Sequence, residues 1–220
     1  LFAAVGDEWG EAQSALLRGF TAWLAGDLDR AEPPLRAALR RYERLGDPEA
    51  AATALMNLGA VAVYRGDPDR AASLLDTALD RFADVGYPEG VGWAHNLRGL
   101  VELRAGRIDR AAVHFAVSLA VHRQVGDRWR TASVVEAMAE VARADGDAER
   151  GATLLGAAAW IRAEIGAPVP ACERRDHAAT VAGLRAALGD AAYGAAHRRG
   201  QVANLDAVLT SGPPAAVAAP

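Results

Sequence analysis

Histidine, cysteine and serine side chains are where metal binding or nucleophilic catalysis would show first, and here their spacing supports neither. The chain holds five histidines and one cysteine. His114 and His122 share a helix face at i, i+8, but two turns set them about 12 Å apart, too far for one metal ion. His122 also forms an evenly spaced column with Tyr42 and Phe82, which points to a packed ring and not a ligand. Cys172 and His177 lie at i, i+5 without an acid partner to complete a nucleophilic pair. Ser14, Ser73, Ser118 and Ser133 fall inside helical stretches and lack the G-x-S-x-G turn that lifts a serine out of a fold. A phosphate loop ending in GK[ST] is impossible, because all 24 basic residues are Arg. The expectation is a protein that is not an enzyme, with no catalytic residues, no metal and no cofactor.

If chemistry does not account for these side chains, packing must. Of the 220 residues 51% are hydrophobic and 24% charged, ample for a continuous core and unlike a disordered chain. Alanine supplies about a quarter of the chain and aromatics only 6%, so the packing units are small side chains on closely spaced helices, an all-α arrangement. The exclusive use of Arg and the scarcity of Ile point to a high-GC genome of the actinobacterial kind. The net charge of −4 comes from interspersed Arg, Asp and Glu. Without a basic run, direct nucleic-acid binding by this fragment is not expected. No apolar run approaches the length that a helix needs to cross a bilayer, so no membrane span is expected either. The single cysteine excludes an intrachain disulfide and fits a reducing cytoplasm, the expected localisation.

The elements follow from a repeat. Gly6, Gly46, Gly86, Gly126 and Gly166 recur at one constant interval, and Gly26, Gly66, Gly106 and Gly146 interleave with them midway. The segments between them, about 20 residues each, predict one helix apiece. Glycine suits the left-handed position that closes a helix, and the Asp that usually follows can cap the next one, as in GDLDRAE, GDPDRAA and GDAERGA. Pro48 and Pro68 sit where a first helical residue has no amide partner to lose. The second helix of each pair carries an apolar stripe: Ala31, Leu35, Ala38, Leu39 and Tyr42, then Ala71, Leu75, Ala78, Leu79 and Phe82, then Ala111, Phe115, Leu119 and His122. Arg36, Arg40, Asp76 and Asp80 take the opposite, solvated face.

Gly19, Gly59 and Gly99 precede Ala31, Ala71 and Ala111 by the same interval in each pair, and in the fourth pair the order is reversed, Ala139 then Gly151. Two small residues at this spacing predict a close contact between paired helices. The pattern resembles the tetratricopeptide repeat, with Leu35 and Ala38, Leu75 and Ala78, Phe115 and Ser118, and Leu155 and Ala158 at its later signature positions. The period is longer than usual, and Ala22, Ala62, Glu102 and Ala142 stand where an aromatic is common. The resemblance covers residues 8–165 and implies a right-handed α-solenoid of four helical hairpins at 8–45, 48–85, 88–125 and 128–165. It also implies a concave face lined by the first helix of each pair. Carried over in the Gly19 register, the groove positions are Gln13, Leu16, Phe20 and Trp23; Thr53, Met56 and Tyr64; Trp93, Asn96, Leu100 and Arg104; and Ser133, Glu136, Glu140 and Arg143. One end is then apolar and aromatic, the other charged.

Residues 1–7 align with 41–47 and are expected to be the last turn of a preceding, truncated repeat helix. Residues 167–209, opening on an APVP turn, break the register and are expected to cap the array, and 210–220 to form a flexible tail. The stretch from Glu149 to Gln201, with its LLGAA, IGAP and LRAALGD runs, resembles the C-terminal region of large actinobacterial regulators that join an ATPase to tetratricopeptide repeats, often with a LuxR-type helix-turn-helix. This resemblance implies a cytoplasmic sensor or interaction module in signal transduction, without the ATPase or DNA reader themselves. Its partner would be a protein or peptide, or a small effector, with self-association also open. An autonomous adaptor that recruits partners with no ATPase is the second class, and an upstream Walker motif would separate the two.

Overall fold

A computed structural model of the chain describes Phe2 and residues 6–210. Of the expected truncated helix at 1–7 only Phe2, Gly6 and Asp7 fall among those residues, and of the tail at 210–220 only Thr210. The described residues form eleven helices and no strand: α1 Glu8–Leu24, α2 Leu28–Leu45, α3 Pro48–Arg65, α4 Pro68–Val85, α5 Pro88–Arg104, α6 Ile108–Gln124, α7 Arg128–Ala144, α8 Ala148–Ile165, α9 Arg174–Leu188, α10 Asp190–Val202 and α11 Leu205–Thr210.

The turns between the first eight helices repeat one device. Asp7, Asp27, Asp47, Asp67, Asp127 and Asp147 each accept a hydrogen bond from the backbone N–H three residues on, at Gly10, Arg30, Ala50, Arg70, Arg130 and Arg150. This supplies one of the amides that a helix start leaves unpaired. The preceding helix ends on a left-handed glycine, as at Gly46 (φ 69°), whose N–H returns to Glu43 O. Tyr87 and Arg107 replace the capping Asp before α5 and α6 and make no side-chain cap.

The chain divides into two compact units. Unit 1 comprises the described residues up to Ala105 together with Pro170–Cys172, and unit 2 comprises Gly106–Val169 and the described residues from Glu173. In unit 1 each helix packs on the next, and the first helices also touch in succession, α1 on α3 and α3 on α5. The apolar stripe of each second helix is buried: Ala31, Leu35, Ala38 and Tyr42 in α2, and Ala71, Leu75, Ala78 and Phe82 in α4. Glycines let the paired helices meet. A Cβ at Gly19 would lie 2.4 Å from Leu35 Cγ and 2.9 Å from Ala31 O, and one at Gly59 would lie 2.7 Å from Leu75 Cδ2. The small-residue column is therefore a contact.

In unit 2 the same contact appears with its residues exchanged, since a Cβ at Gly151 of α8 would lie 2.9 Å from Ala139 O of α7. Here α8 is covered from a further side by α10 at still closer range. A Cβ at Gly156 would fall 1.9 Å from His197 O, and one at Gly200 would fall 1.9 Å from Thr153 O. These backbones leave no room for any side chain at the crossing. The helix α9 touches α7, α8 and α10, and its Leu184 Cδ2 would sit 2.8 Å from a Cβ on Gly151.

Candidate functional site

In unit 1 the first helices bring four of the groove positions into one aromatic cluster. Phe20 and Trp23 of α1 meet at 5.7 Å between ring centroids, Phe20 meets Trp93 of α5 edge to face at 5.5 Å, and Trp23 stacks on Tyr64 of α3 at 5.8 Å. Trp23 and Trp93 are 6.3 Å apart. Offset and edge-on rings in this range attract through their quadrupoles, so the cluster also joins the three helices. The Arg104 guanidinium lies 5.3 Å over the Tyr64 ring and donates to Val63 O.

The members differ in exposure. Trp23 is buried, 2% exposed, and its Nε1 donates to Asn57 Oδ1 at 2.8 Å, while Asn57 Nδ2 donates to Thr53 O at 2.7 Å. Leu16, Met56 and Asn96 are buried as well. Phe20, Tyr64, Trp93 and Leu100 are half-buried and Arg104 is exposed, so these five present the face to solvent. Gln13 Oε1 accepts from Tyr42 Oη at 2.7 Å. Burial, then the nearby Asp47, pushes the Tyr42 hydroxyl up to about 12, which keeps it a donor. Thr53 donates to Glu49 O within its own helix. Asn96, one turn from Trp93, holds a buried Oδ1 that has no hydrogen-bond partner among the described residues.

In unit 2 the groove positions are charged and neutralised from within. Glu136 accepts from Arg162 Nε at 2.7 Å and Nη2 at 2.6 Å, a bidentate pair. Arg162 Nη2 also donates to Ser133 Oγ at 3.0 Å, and that hydroxyl donates to Glu173 Oε2 at 3.2 Å. His177 Nδ1 is 3.8 Å from Glu136 Oε1. Burial raises the Glu173 carboxyl to about 7; the negative charge of Glu136 adds to the rise, and Arg162, Ser133 and Arg130 oppose it. Glu140 pairs with Arg143 at 2.6 Å.

Two of these residues were not singled out from the sequence, yet each had a signal there. Asn57 interrupts an apolar column formed with Leu17 and Leu97, its equivalents one period before and one after. Arg162 continues the column of Tyr42, Phe82 and His122, all of them buried, and is itself only 5% exposed. A buried arginine at the end of an aromatic column requires carboxylates, and Glu136 and Glu173 supply them.

Among the described residues no group of three His, Cys, Asp or Glu is placed to hold a metal ion. No helix among them is long and apolar enough to cross a membrane.

Consecutive helix pairs, the small-residue contacts at Gly19, Gly59 and Gly151, and a face built by the first helices of unit 1 define a helical-repeat scaffold for protein interaction. Residues 10–120 are made of tetratricopeptide repeats: residues 10–84 match one model of that family and residues 56–120 another. No curated protein matches the chain by sequence. The fold is shared with the crystal structure of BtubC (BKLC) from P. vanneervenii, at a TM-score of 0.65 and 20% identity over 97% of this chain and 86% of that one.

Proposed function

We propose that this chain is the sensor or interaction module of a bacterial transcriptional regulator or signalling ATPase, and that it takes a protein or peptide partner on the first-helix face of unit 1. The observation that carries the site is the half-buried set Phe20, Tyr64 and Trp93 beside the exposed Arg104. Aromatic rings held by their neighbours give contact area at little cost in entropy, and an Arg on the rim adds direction. The charged positions of unit 2 are spent on internal pairs, which favours unit 1 as the binding face. The regulator reading rests on the LLGAA and LRAALGD runs and on the Arg-only composition.

Selection of a displayed random-peptide library against the chain tests the site. Trp93→Ala should weaken the recovered peptides by about 1–3 kcal/mol with unchanged helical circular dichroism, whereas Trp160→Ala, an exposed ring in unit 2, should have no effect. Peptides that bind both variants equally would remove this face from consideration.

A further inference from the structure

Pro170–Cys172 belong to unit 1 although the chain runs through the whole first part of unit 2 between Ala105 and them. The Cys172 N–H donates to Leu24 O at 3.2 Å, and the Cys172 side chain packs half-buried against the core of the unit. Leu24 is the last residue of α1. The carbonyls just before it are taken by the following turn, where the N–H groups of Ala25, Gly26 and Asp27 return to Thr21, Trp23 and Ala22. Leu24 O is left facing outward, as helix ends leave their final carbonyls. Phe20 lies one turn earlier on the same side of α1. Near the corresponding end of α3 the Val63 carbonyl receives Arg104, a side chain from the next first helix. At the end of α1 the donor is a backbone N–H from a distant segment.

The segment is suited to this place. Proline at 168 and 170 keeps the chain before Cys172 extended and removes two N–H groups that would need partners. Only small side chains, Ala171 and Cys172, then follow the prolines.

We propose that Pro170–Cys172 is a built-in occupant of the first-helix face of unit 1. The partner this face takes is an extended peptide of the same chemistry: small residues after a proline, with one N–H offered to Leu24 O. This rests on the reading that the unit 1 face is the binding site. Binding is then an exchange, in which the partner displaces the chain's own segment, and a linked occupant competes at high effective concentration.

Cys172 is the one thiol in the chain and reports the exchange directly. A synthetic peptide of residues 167–173, carrying Ser in place of the cysteine, is titrated into the full chain while thiol modification is timed. Cys172 should react several-fold faster at saturating peptide, and a peptide with both prolines changed to glycine should be much weaker. In a second arm the fluorescent peptide is bound to Cys172→Pro, which lacks the N–H. Its affinity there should exceed that for the unaltered chain several-fold, and adding Trp93→Ala should abolish the gain. A thiol rate indifferent to peptide, together with equal binding to both proteins, would overturn the proposal. If displayed peptides of other composition still depend on Trp93, the face survives and only the partner class is wrong; if none does, the face itself fails.

Discussion

Trp23 carries an indole that its place in the repeat assigns to a groove and that the fold uses as a joint. Its ring is enclosed by Phe20, Tyr64 and Trp93, and its N–H is held by Asn57. Trp23→Ala should therefore cost about 3–5 kcal/mol in urea unfolding, as loss of a large buried side chain does. Trp23→Phe should cost about 1–3 kcal/mol, chiefly because Asn57 Oδ1 loses its donor. An unchanged midpoint for the alanine variant would show that the ring is not structural. Glu173 sets a second residue-scale test. Its carboxyl is raised to about 7 in the folded protein against an ordinary 4.5, so the folded state keeps a proton that the unfolded chain has released. This group's contribution to stability is greatest at low pH and is lost as pH rises through that window. Unfolding free energy of the unaltered chain should fall from pH 5 toward pH 7 more steeply than that of Glu173→Gln; parallel profiles would refute the assignment.

Helices meet in this protein at two kinds of glycine, and they should respond differently to the same change. Gly59 abuts Leu75, a side chain that can shift, whereas Gly200 abuts the Thr153 carbonyl, which cannot. Both gain about 0.5–1 kcal/mol of helix propensity on becoming alanine. Gly59→Ala should then cost a net of about 1–2 kcal/mol, the overpacking cost less that gain. Gly200→Ala should cost distinctly more and release α10 from α8, seen as early hydrogen exchange of α10 amides. Equal costs would mean that the two contacts are alike. The Gly59 contact was legible in the sequence, because a constant period lays the small residues in one column. The Gly200 contact was not. Its residues, Thr153 and Gly200, lie within the Glu149–Gln201 stretch used for a family likeness, and a crossing that occurs once has no period to reveal it. The aromatic cluster was half legible for the same reason: register placed Phe20, Trp23, Tyr64 and Trp93 on first helices, but ring contacts joining α1 to α5 skip over three intervening helices and follow no repeat.

Across the whole chain, the helical-repeat class could be read from the Gly-Asp spacing, since each turn is a local event that needs only its own few residues. What could not be read is whatever depends on distant segments, such as Cys172 returning to Leu24. The helices after Ile165 lie beyond the repeat register, and their role as a cover for α8 is testable. A chain ending at Gly166 exposes the Gly156 side of α8 and should self-associate in size-exclusion chromatography; a monomer with an unaltered melting temperature would exclude a capping role.

The turn glycines have a consequence in terms of handedness. Gly46 and Gly86 hold φ of 69° and 67°, and beyond the chain neighbours no atom lies within 4 Å of where an L Cβ on either would stand. Their requirement is one of mirror symmetry and not of space. A D-alanine, whose preferred backbone is the mirror image of the L residue's, should fit each site without strain and stabilise the chain by about 0.4–1 kcal/mol through a less free unfolded state. An L-alanine should cost about 1–2 kcal/mol per site. With no contacts shared between the two sites the effects should add. A semisynthetic protein with both turns exchanged would therefore separate its D-alanine and L-alanine versions by several degrees in melting temperature.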